Sequence, residues 1–378
     1  MSNTSMASYE EDGISTASTT DSGALLNVTS SNTESTETDI AILLIFKDPS
    51  TVYWVFNVIV TAIGLIGNCM VFALMREVKF SLLSYPVYLK FLAVSDSAVL
   101  ITSCIHESLR LFKSFYLMFT SLAFCNVWRV IRFIVGLLSP WLLVGLTLDR
   151  FFCVVFPLKR DLFCTPRKAS VVCFCLTCVS VALMLPLLSD VKVVKGPQDE
   201  TCVTGDKLVS YYVFLRLLFT SLLPCLLILV FTVMIIIRIK RSATFRKRFT
   251  STSSGSTDRA QDKSLRPLML ISLLAFVTLL PSTISESVIL ILMIFKLHFK
   301  TLFFLKDLWM PFNILYLINF GQNFYILVSS STNYRKIMKR KLNCANVPKR
   351  NENIPVATSS VNVSDISKDV TQSCTALS

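Results

Sequence analysis

Seven long apolar runs, separated by short polar segments, occupy most of this 378-residue chain. The third is the most informative, because sixteen residues without a formal charge lie between Arg132 and Asp149. At about 1.5 Å per residue, the 25 steps from Cys125 to Arg150 cover roughly 37 Å, enough to cross a bilayer. We therefore predict an all-α membrane protein, a seven-transmembrane helix bundle. The predicted spans are 52–75, 82–104, 125–157, 169–188, 208–239, 268–295 and 302–328.

A short helix is predicted after the seventh span. Residues 333–342 are basic and amphipathic, which is typical of a helix that lies on a membrane surface. Residues 1–46 are polar, Ser/Thr-rich and of low complexity, so we predict a disordered N-terminal segment. Residues 47–343 form the predicted helical domain, and 344–378 form a disordered tail. No internal repeat is visible, which counts against transporter folds built from duplicated halves.

Charge is distributed unevenly along the chain. Only 16% of residues are charged and 53% are hydrophobic, and the net charge of +13 comes from clusters between and after the spans. Every formal charge before residue 41 is acidic. The positive-inside rule therefore predicts an extracellular N-terminus, a cytoplasmic C-terminus and a plasma-membrane location, and nucleic acid is not an expected partner. Asn3 and Asn27 begin glycosylation sequons on the predicted outside. The basic clusters lie at 159–160, 167–168, 238–248 and 335–341.

Three polar residues share one face of the third span. Arg132 and Arg150 are 18 positions apart, about five turns, and Ser139 lies between them at a matching spacing. A charge within hydrocarbon is costly, so such residues usually face the bundle interior and have a function. The alternative is that both arginines extend to the lipid headgroups.

The third span resembles the third helix of rhodopsin-like (class A) G protein-coupled receptors, of neuropeptide-receptor type. Cys125, Asp149-Arg150-Phe151 and Pro157 carry the resemblance. It implies that Asp149 holds Arg150 at rest and that Asp149, Arg150 and Pro157 serve G protein coupling. The usual seventh-helix proline and tyrosine are missing from 323–327, and 278–281 lacks the sixth-helix tryptophan. The fourth helix also lacks its usual tryptophan, and Thr232 replaces the usual fifth-helix tyrosine.

The chain has twelve cysteines, and most lie in apolar helices or on the predicted cytoplasmic side, where thiols stay reduced. Only Cys125 and Cys202 are predicted to face outside. The resemblance implies that they form a disulfide that fixes the loop over the mouth of the bundle. Cys344 follows the amphipathic segment and is a candidate for palmitoylation.

Isolated polar residues interrupt the apolar spans and predict a buried polar centre. An unpaired carboxylate at such depth must be protonated, hydrogen-bonded or bound to a cation. Carboxylate, hydroxyl and amide oxygens suit a hard cation, and the resemblance implies sodium as an allosteric modulator. The alternative is a hydrogen-bond network without an ion. The predicted set is Asp96, Ser139, Asn319 and Asn323, with Asn68 nearby.

Cationic residues near the predicted outer mouth indicate the ligand's chemistry. Amine receptors of the family place an aspartate where this chain has Arg132, so a protonated amine is not expected. Guanidinium groups bind carboxylate, sulfate or phosphate with two parallel hydrogen bonds. Pockets with several charges of both signs suit a short peptide better than a lipid. The candidate ligand-binding residues are Arg129, Arg132, Arg216, Glu107 and Glu286, with Arg110 as a further cation; the alternative is that the two glutamates only neutralise these arginines.

These observations predict a receptor for an extracellular neuropeptide that activates a heterotrimeric G protein. Arrestin and a receptor kinase are expected at the Ser/Thr-rich loop 242–264 and the tail. A chemosensory receptor for small acidic molecules is the alternative within the family, and a transporter or channel is the alternative outside it. Nothing indicates an enzyme or a cofactor other than sodium, because His106 and His298 are isolated and no metal or nucleophile constellation is visible.

Overall fold

Long helices form most of the structure, a computed structural model that describes residues 51–112, 122–189, 191–195, 200–204, 207–249, 256–294 and 299–345. Six helices in these ranges are long and apolar enough to cross a membrane. The sequence predicted all of them and the bundle they form. The helices are α1 (Thr51–Leu74), α2 (Tyr85–Leu111), α3 (Leu122–Val155), α4 (Pro166–Met184), α5 (Val209–Phe249), α6 (Ser256–Ile294), α7 (Phe299–Asn319), α8 (Asn323–Ser330) and α9 (Thr332–Ala345).

The predicted seventh span is two helices, α7 and α8, rather than one. Between them the chain approaches α1 closely, because a Cβ built on Gly321 would lie 2.7 Å from the Cα of Gly64. Only glycine permits this backbone contact. Asn68 of α1 donates to the buried carbonyl of Phe320 at 3.0 Å, so α1 supplies a hydrogen-bond partner at the break. A hydropathy pattern cannot show such a break, since both halves are apolar.

The middle of α5 is wound as a π-helix. Regular α-helix occupies Val209–Phe214 and Leu223–Phe249, and Leu215–Leu222 between them is π-helical. In a π-helix each carbonyl pairs with the N–H five residues on instead of four. Trp141 of α3 donates its indole N–H to a carbonyl within this segment, that of Phe219, at 2.9 Å. The contact ties α3 to α5 beside the cavity described below.

A two-stranded hairpin joins α4 to α5, where the sequence predicted only a polar loop. Strands β1 (Val191–Lys195) and β2 (Glu200–Thr204) pair antiparallel, with Val193 opposite Cys202. The run Val-Lys-Val-Val-Lys has the β-branched residues typical of strands. Both strands contact α3, so the hairpin lies against the helix that carries Cys125.

The bundle is apolar on the outside as well as within. Large hydrophobic residues on the spanning helices, such as Phe174, Val230 and Val277, are at least half exposed, as expected for lipid-facing positions. The largest internal cluster packs α2, α3, α4, α6 and α8 together near Asp149. We refer below to the Cys125 end and the Asp149 end of the bundle, which α3 connects.

Candidate functional site

A cavity of about 150 Å³ opens between the helices toward the Cys125 end. Residues from each of the helices α1 to α7 line it, and the wall combines aromatic and small polar side chains with three charged ones. Several convergent polar groups in one apolar cavity are typical of a ligand site. The charged residues on the wall are Glu107, Arg132 and Arg216, all of which the sequence predicted.

Arg132 lines this cavity without an ion pair of its own. Among the described residues, no acidic side chain forms an ion pair with it. Glu107, on the same wall, instead pairs with Arg110 one turn further along α2, at 3.4 Å. Arg132 therefore lines the cavity without an ion pair to a described carboxylate, and its guanidinium carries five N–H donors that suit an anionic group.

The other predicted ligand residues have different surroundings. The guanidinium of Arg129 lies 5.3 Å from the ring centre of Phe133 and 5.5 Å from that of Tyr212, as a cation–π pair, and not on the cavity wall. Glu286 lies in α6, and its side chain is outside the described part of the structure. Their roles in ligand binding stay predictions.

The cavity wall also holds polar residues of α1 and α7 that sequence reasoning missed. Asn313 of α7 donates to the hydroxyl of Tyr53 on α1, and both line the cavity. Asn57 lies one turn from Tyr53 and accepts from Thr61 at 3.3 Å. The available signal was an isolated amide in an apolar run, since such an amide needs partners when it is buried, as Asn57 is here.

Asp96 is the centre of the predicted polar set. Ser139 donates to its Oδ1, and the Nδ2 of Asn323 donates to its Oδ2 at 2.9 Å. Asn319 lies outside this contact, because its Oδ1 accepts from Gln322 at 3.1 Å and from Thr278 at 3.4 Å. Asp96, Ser139 and Asn323 come together as predicted. They offer carboxylate and hydroxyl oxygens that fit a hard cation, whereas Asn319 offers no free side-chain oxygen.

At the Asp149 end, Arg150 is held by a closed polar cluster. Its Nε lies 3.0 Å from Oδ2 of Asp149, and its Nη2 lies 2.9 Å from the hydroxyl of Ser84. Ser84 also donates to Asp149 at 2.8 Å, so it bridges the ion pair. The guanidinium lies 5.0 Å from the ring centre of Tyr85, whose hydroxyl accepts from Tyr334 at 3.1 Å. All four groups of this cluster around Arg150 are buried.

Sequence reasoning missed Ser84, because nothing in the local pattern marks it as a partner of Asp149. It precedes α2 directly, yet its side chain makes no capping hydrogen bond. The hydroxyl is instead used across the bundle, 65 residues away in the chain. Pro157 begins a 3₁₀ turn immediately after α3 and is exposed, as expected for a residue at this end.

Two thiols meet beside this cluster, and sequence reasoning did not single them out as a pair. Cys153 of α3 and Cys164 of the following loop have their Sγ atoms 2.6 Å apart, and both can reach the carboxylate of Asp149. The hydrogen bond with Cys153, followed by burial, raises the pKa of the Cys164 thiol. The two residues are 11 positions apart in different elements, so no local spacing indicated the pair.

Cys125 is disulfide-bonded. Cys202 is in β2, against α3, but its side chain lies outside the described residues, so the pairing of the two stays a prediction. Eight other cysteines, all in described segments, are free thiols. Cys344 is in α9 with an undescribed side chain, and Asn3 and Asn27 lie outside the described residues.

The sequence of this chain matches a protein-family model described as "7 transmembrane receptor (rhodopsin family)" over residues 67–324. No curated protein matches the chain. The matched region runs from the end of α1 to the start of α8, and it includes the cavity wall of α2 to α7, the Asp96 centre and the Asp149–Arg150 cluster. Because this match covers most of the chain, and because the helices are long and apolar enough to cross a membrane, the chain belongs to the rhodopsin family of seven-transmembrane receptors.

Proposed function

We propose that the chain is a cell-surface receptor that binds a short extracellular peptide and activates a heterotrimeric G protein. Arg132 carries this proposal, because it faces the cavity without an ion pair to any acidic side chain that the structure describes. An arginine in this position needs an anionic partner, and in this proposal the ligand supplies it. A carboxylate is the simplest group that matches its planar donors.

The size of the cavity limits how much of the ligand enters. A volume of about 150 Å³ accommodates one side chain or one chain terminus, not a whole peptide. The ligand therefore inserts an acidic side chain or its C-terminal carboxylate toward Arg132. Glu107 and Arg216, on the same wall, add charges of both signs for the neighbouring part of a peptide.

The Asp149 end supplies the proposed contact with the G protein. The N-terminus is extracellular in this proposal, because the basic segments, including α9, gather at the Asp149 end. Leu158, directly after Pro157, is fully exposed, which is unusual for an apolar side chain in a basic loop and suits a protein contact. Activation would release Arg150 from Asp149 and Ser84 so that it meets the G protein. Arrestin and a receptor kinase would act on the Ser/Thr-rich segments.

The Asp96 centre is proposed to regulate this transition. A sodium ion held by Asp96 and Ser139 would stabilise the resting arrangement of α2, α3 and α8, which these hydrogen bonds already join. Sodium would then lower agonist affinity by a population shift.

The experiment is a library screen of acidic and amidated peptides against cells that express the chain, read as G protein activation. With a hit in hand, Arg132→Ala should reduce agonist binding by about 2–5 kcal/mol, as when one member of a buried charge pair is truncated. Arg132→Lys should recover only part of the loss, since a point charge replaces a planar fork. Surface expression of each variant is measured in parallel.

Arg129→Ala is the matched control. It removes a guanidinium of the same helix, one turn away, that stacks on aromatic rings instead of lining the cavity. Agonist potency should change much less than for Arg132→Ala. A wild-type response from Arg132→Ala would contradict the acidic-ligand hypothesis.

The same screen separates the alternative functions. Activation by small organic acids but by no peptide would favour a chemosensory receptor. Ion or solute flux without nucleotide exchange would favour a transporter or channel.

A further inference from the structure

The thiols of Cys153 and Cys164 are placed for reaction with each other. Cys153 is the fourth residue after Asp149 on α3, and Cys164 follows the short helix Arg160–Phe163 in the loop that leads to α4. Their Sγ atoms lie 2.6 Å apart, so about 0.5 Å of movement reaches the disulfide length of about 2.05 Å. The Cys164 thiol also donates to the backbone carbonyl of Asp149 at 3.6 Å, which fixes the loop against α3.

A metal ion is a poorer occupant of this place. The third candidate ligand, the carboxylate of Asp149, already accepts hydrogen bonds from Ser84 and Arg150 through Oδ2. The positive charge of Arg150 beside the site opposes a divalent cation.

We propose that Cys153 and Cys164 are a reversible oxidation site, at which a peroxide converts the thiol pair to an intramolecular disulfide. One thiol attacks hydrogen peroxide, becomes a sulfenic acid and releases water. The second thiol attacks that sulfur, forms the S–S bond and releases a second water. The two thiols are oxidised by two electrons and the peroxide is reduced to two waters. A cytosolic thiol reductant reverses the step.

The bond would link the loop to α3 immediately below Arg150. This consequence rests on the proposed function, because Arg150 and the loop are the proposed contact with the G protein. The linked loop cannot move away from Asp149 without breaking the disulfide. Oxidation should therefore hold the receptor in the resting arrangement and lower nucleotide exchange.

Peptide mapping of the full-length chain in detergent tests the bond without a ligand or a G protein. Trypsin cleaves after Arg150, Lys159, Arg160 and Arg167, which places the two cysteines alone in separate peptides, 151–159 and 161–167. After hydrogen peroxide and alkylation, the two peptides should appear as one linked species. The species should disappear with dithiothreitol and in either Cys153→Ser or Cys164→Ser. Cys173→Ser, a buried free thiol of α4, is the control that should leave the linked species unchanged.

Recovery of both peptides as alkylated thiols after peroxide would overturn the proposal. Oxidation of the two cysteines to separate sulfinic acids would also overturn it. So would a loss of alkylation that a chelator restores, because that result indicates a metal site.

Basal nucleotide exchange by an added G protein, compared before and after peroxide, tests the effect on coupling. Exchange should fall in the wild type and not in Cys164→Ser. Unchanged exchange with a mapped bond would overturn the regulatory effect alone, and a G protein that never responds would instead count against the proposed function.

Discussion

Arg132 and Arg150 lie on the same face of α3, about five turns apart, yet the protein treats them differently. At the Asp149 end, Arg150 has a carboxylate, a hydroxyl and an aromatic ring around it, all from the chain itself. At the Cys125 end, Arg132 lines a cavity, and Glu107, the described carboxylate on the same wall, forms its ion pair with Arg110. Arg150 has an ion pair within the chain, whereas Arg132 has none among the described residues.

The difference shows how one helix can serve binding and signalling at once. A buried charge with partners inside the protein stabilises one arrangement of the helices, whereas a buried charge without an ion pair is stabilised when a partner binds from outside. A ligand that binds Arg132 can shift the bundle only if the two arrangements bind it differently. The polar centre at Asp96 lies between the two arginines and joins α3 to α8, so it is the physical link between the ends.

Removal of the internal partner at the Asp149 end should have the largest effect. Asp149→Asn leaves Arg150 buried without a countercharge, which typically costs 3–5 kcal/mol. We expect a lower midpoint of thermal unfolding in detergent together with raised basal nucleotide exchange, because the resting arrangement loses its main ion pair. Unchanged values of both would mean that Ser84 and Tyr85 alone hold Arg150, and the contrast between the two arginines would fail.

The sequence predicted the open end better than the closed one, for a physical reason. Seven apolar runs fix the number of spans, and Arg132, Glu107 and Arg216 stand out because charges are rare in such runs. Ser84, Tyr85 and Tyr334 are ordinary residues that matter only through contacts made far along the chain. The same holds for the break between α7 and α8 and for the Cys153–Cys164 pair, which depend on tertiary packing and not on local pattern.

The link between the ends is tested by Asp96→Asn. If Asp96 and Ser139 hold sodium, agonist affinity of the wild type should fall in sodium relative to a bulky organic cation. Couplings between sites are typically about 1–3 kcal/mol, so a shift of that size is expected. The variant should bind agonist equally in both salts, measured by radioligand competition. Equal sensitivity of the wild type to both cations would indicate a hydrogen-bond network without an ion.

Close packing between the two ends is tested at Gly321. In Gly321→Ala the new methyl group would lie 2.7 Å from the Cα of Gly64, and backbone atoms cannot turn aside as a side chain can. Overpacking of this kind typically costs 1–3 kcal/mol, so the midpoint of thermal unfolding should fall. Gly136→Ala of α3 is the matched control, because its Cβ would meet only the Tyr316 hydroxyl at 4.0 Å. Equal unfolding midpoints for the two variants would show that α8 moves away from α1 at little cost.

The smallest effect is expected at Glu77. This residue forms a partly exposed ion pair at the same end of the bundle as the buried pair of Arg150 and Asp149. Its Oε2 lies 3.2 Å from the Nζ of Lys341 on α9, and both side chains are about one-fifth exposed. Because water screens such pairs, Glu77→Gln should cost less than about 1 kcal/mol, and less again at high salt. Lys341→Met should cost more than Glu77→Gln, since Lys341 also donates to the carbonyl of Ala73, in the last turn of α1, at 2.7 Å. The measurement is the midpoint of thermal unfolding of these variants at low and high salt, compared with that of Asp149→Asn. A loss from Glu77→Gln as large as that from Asp149→Asn would show that burial does not set the strength of the ion pairs at this end.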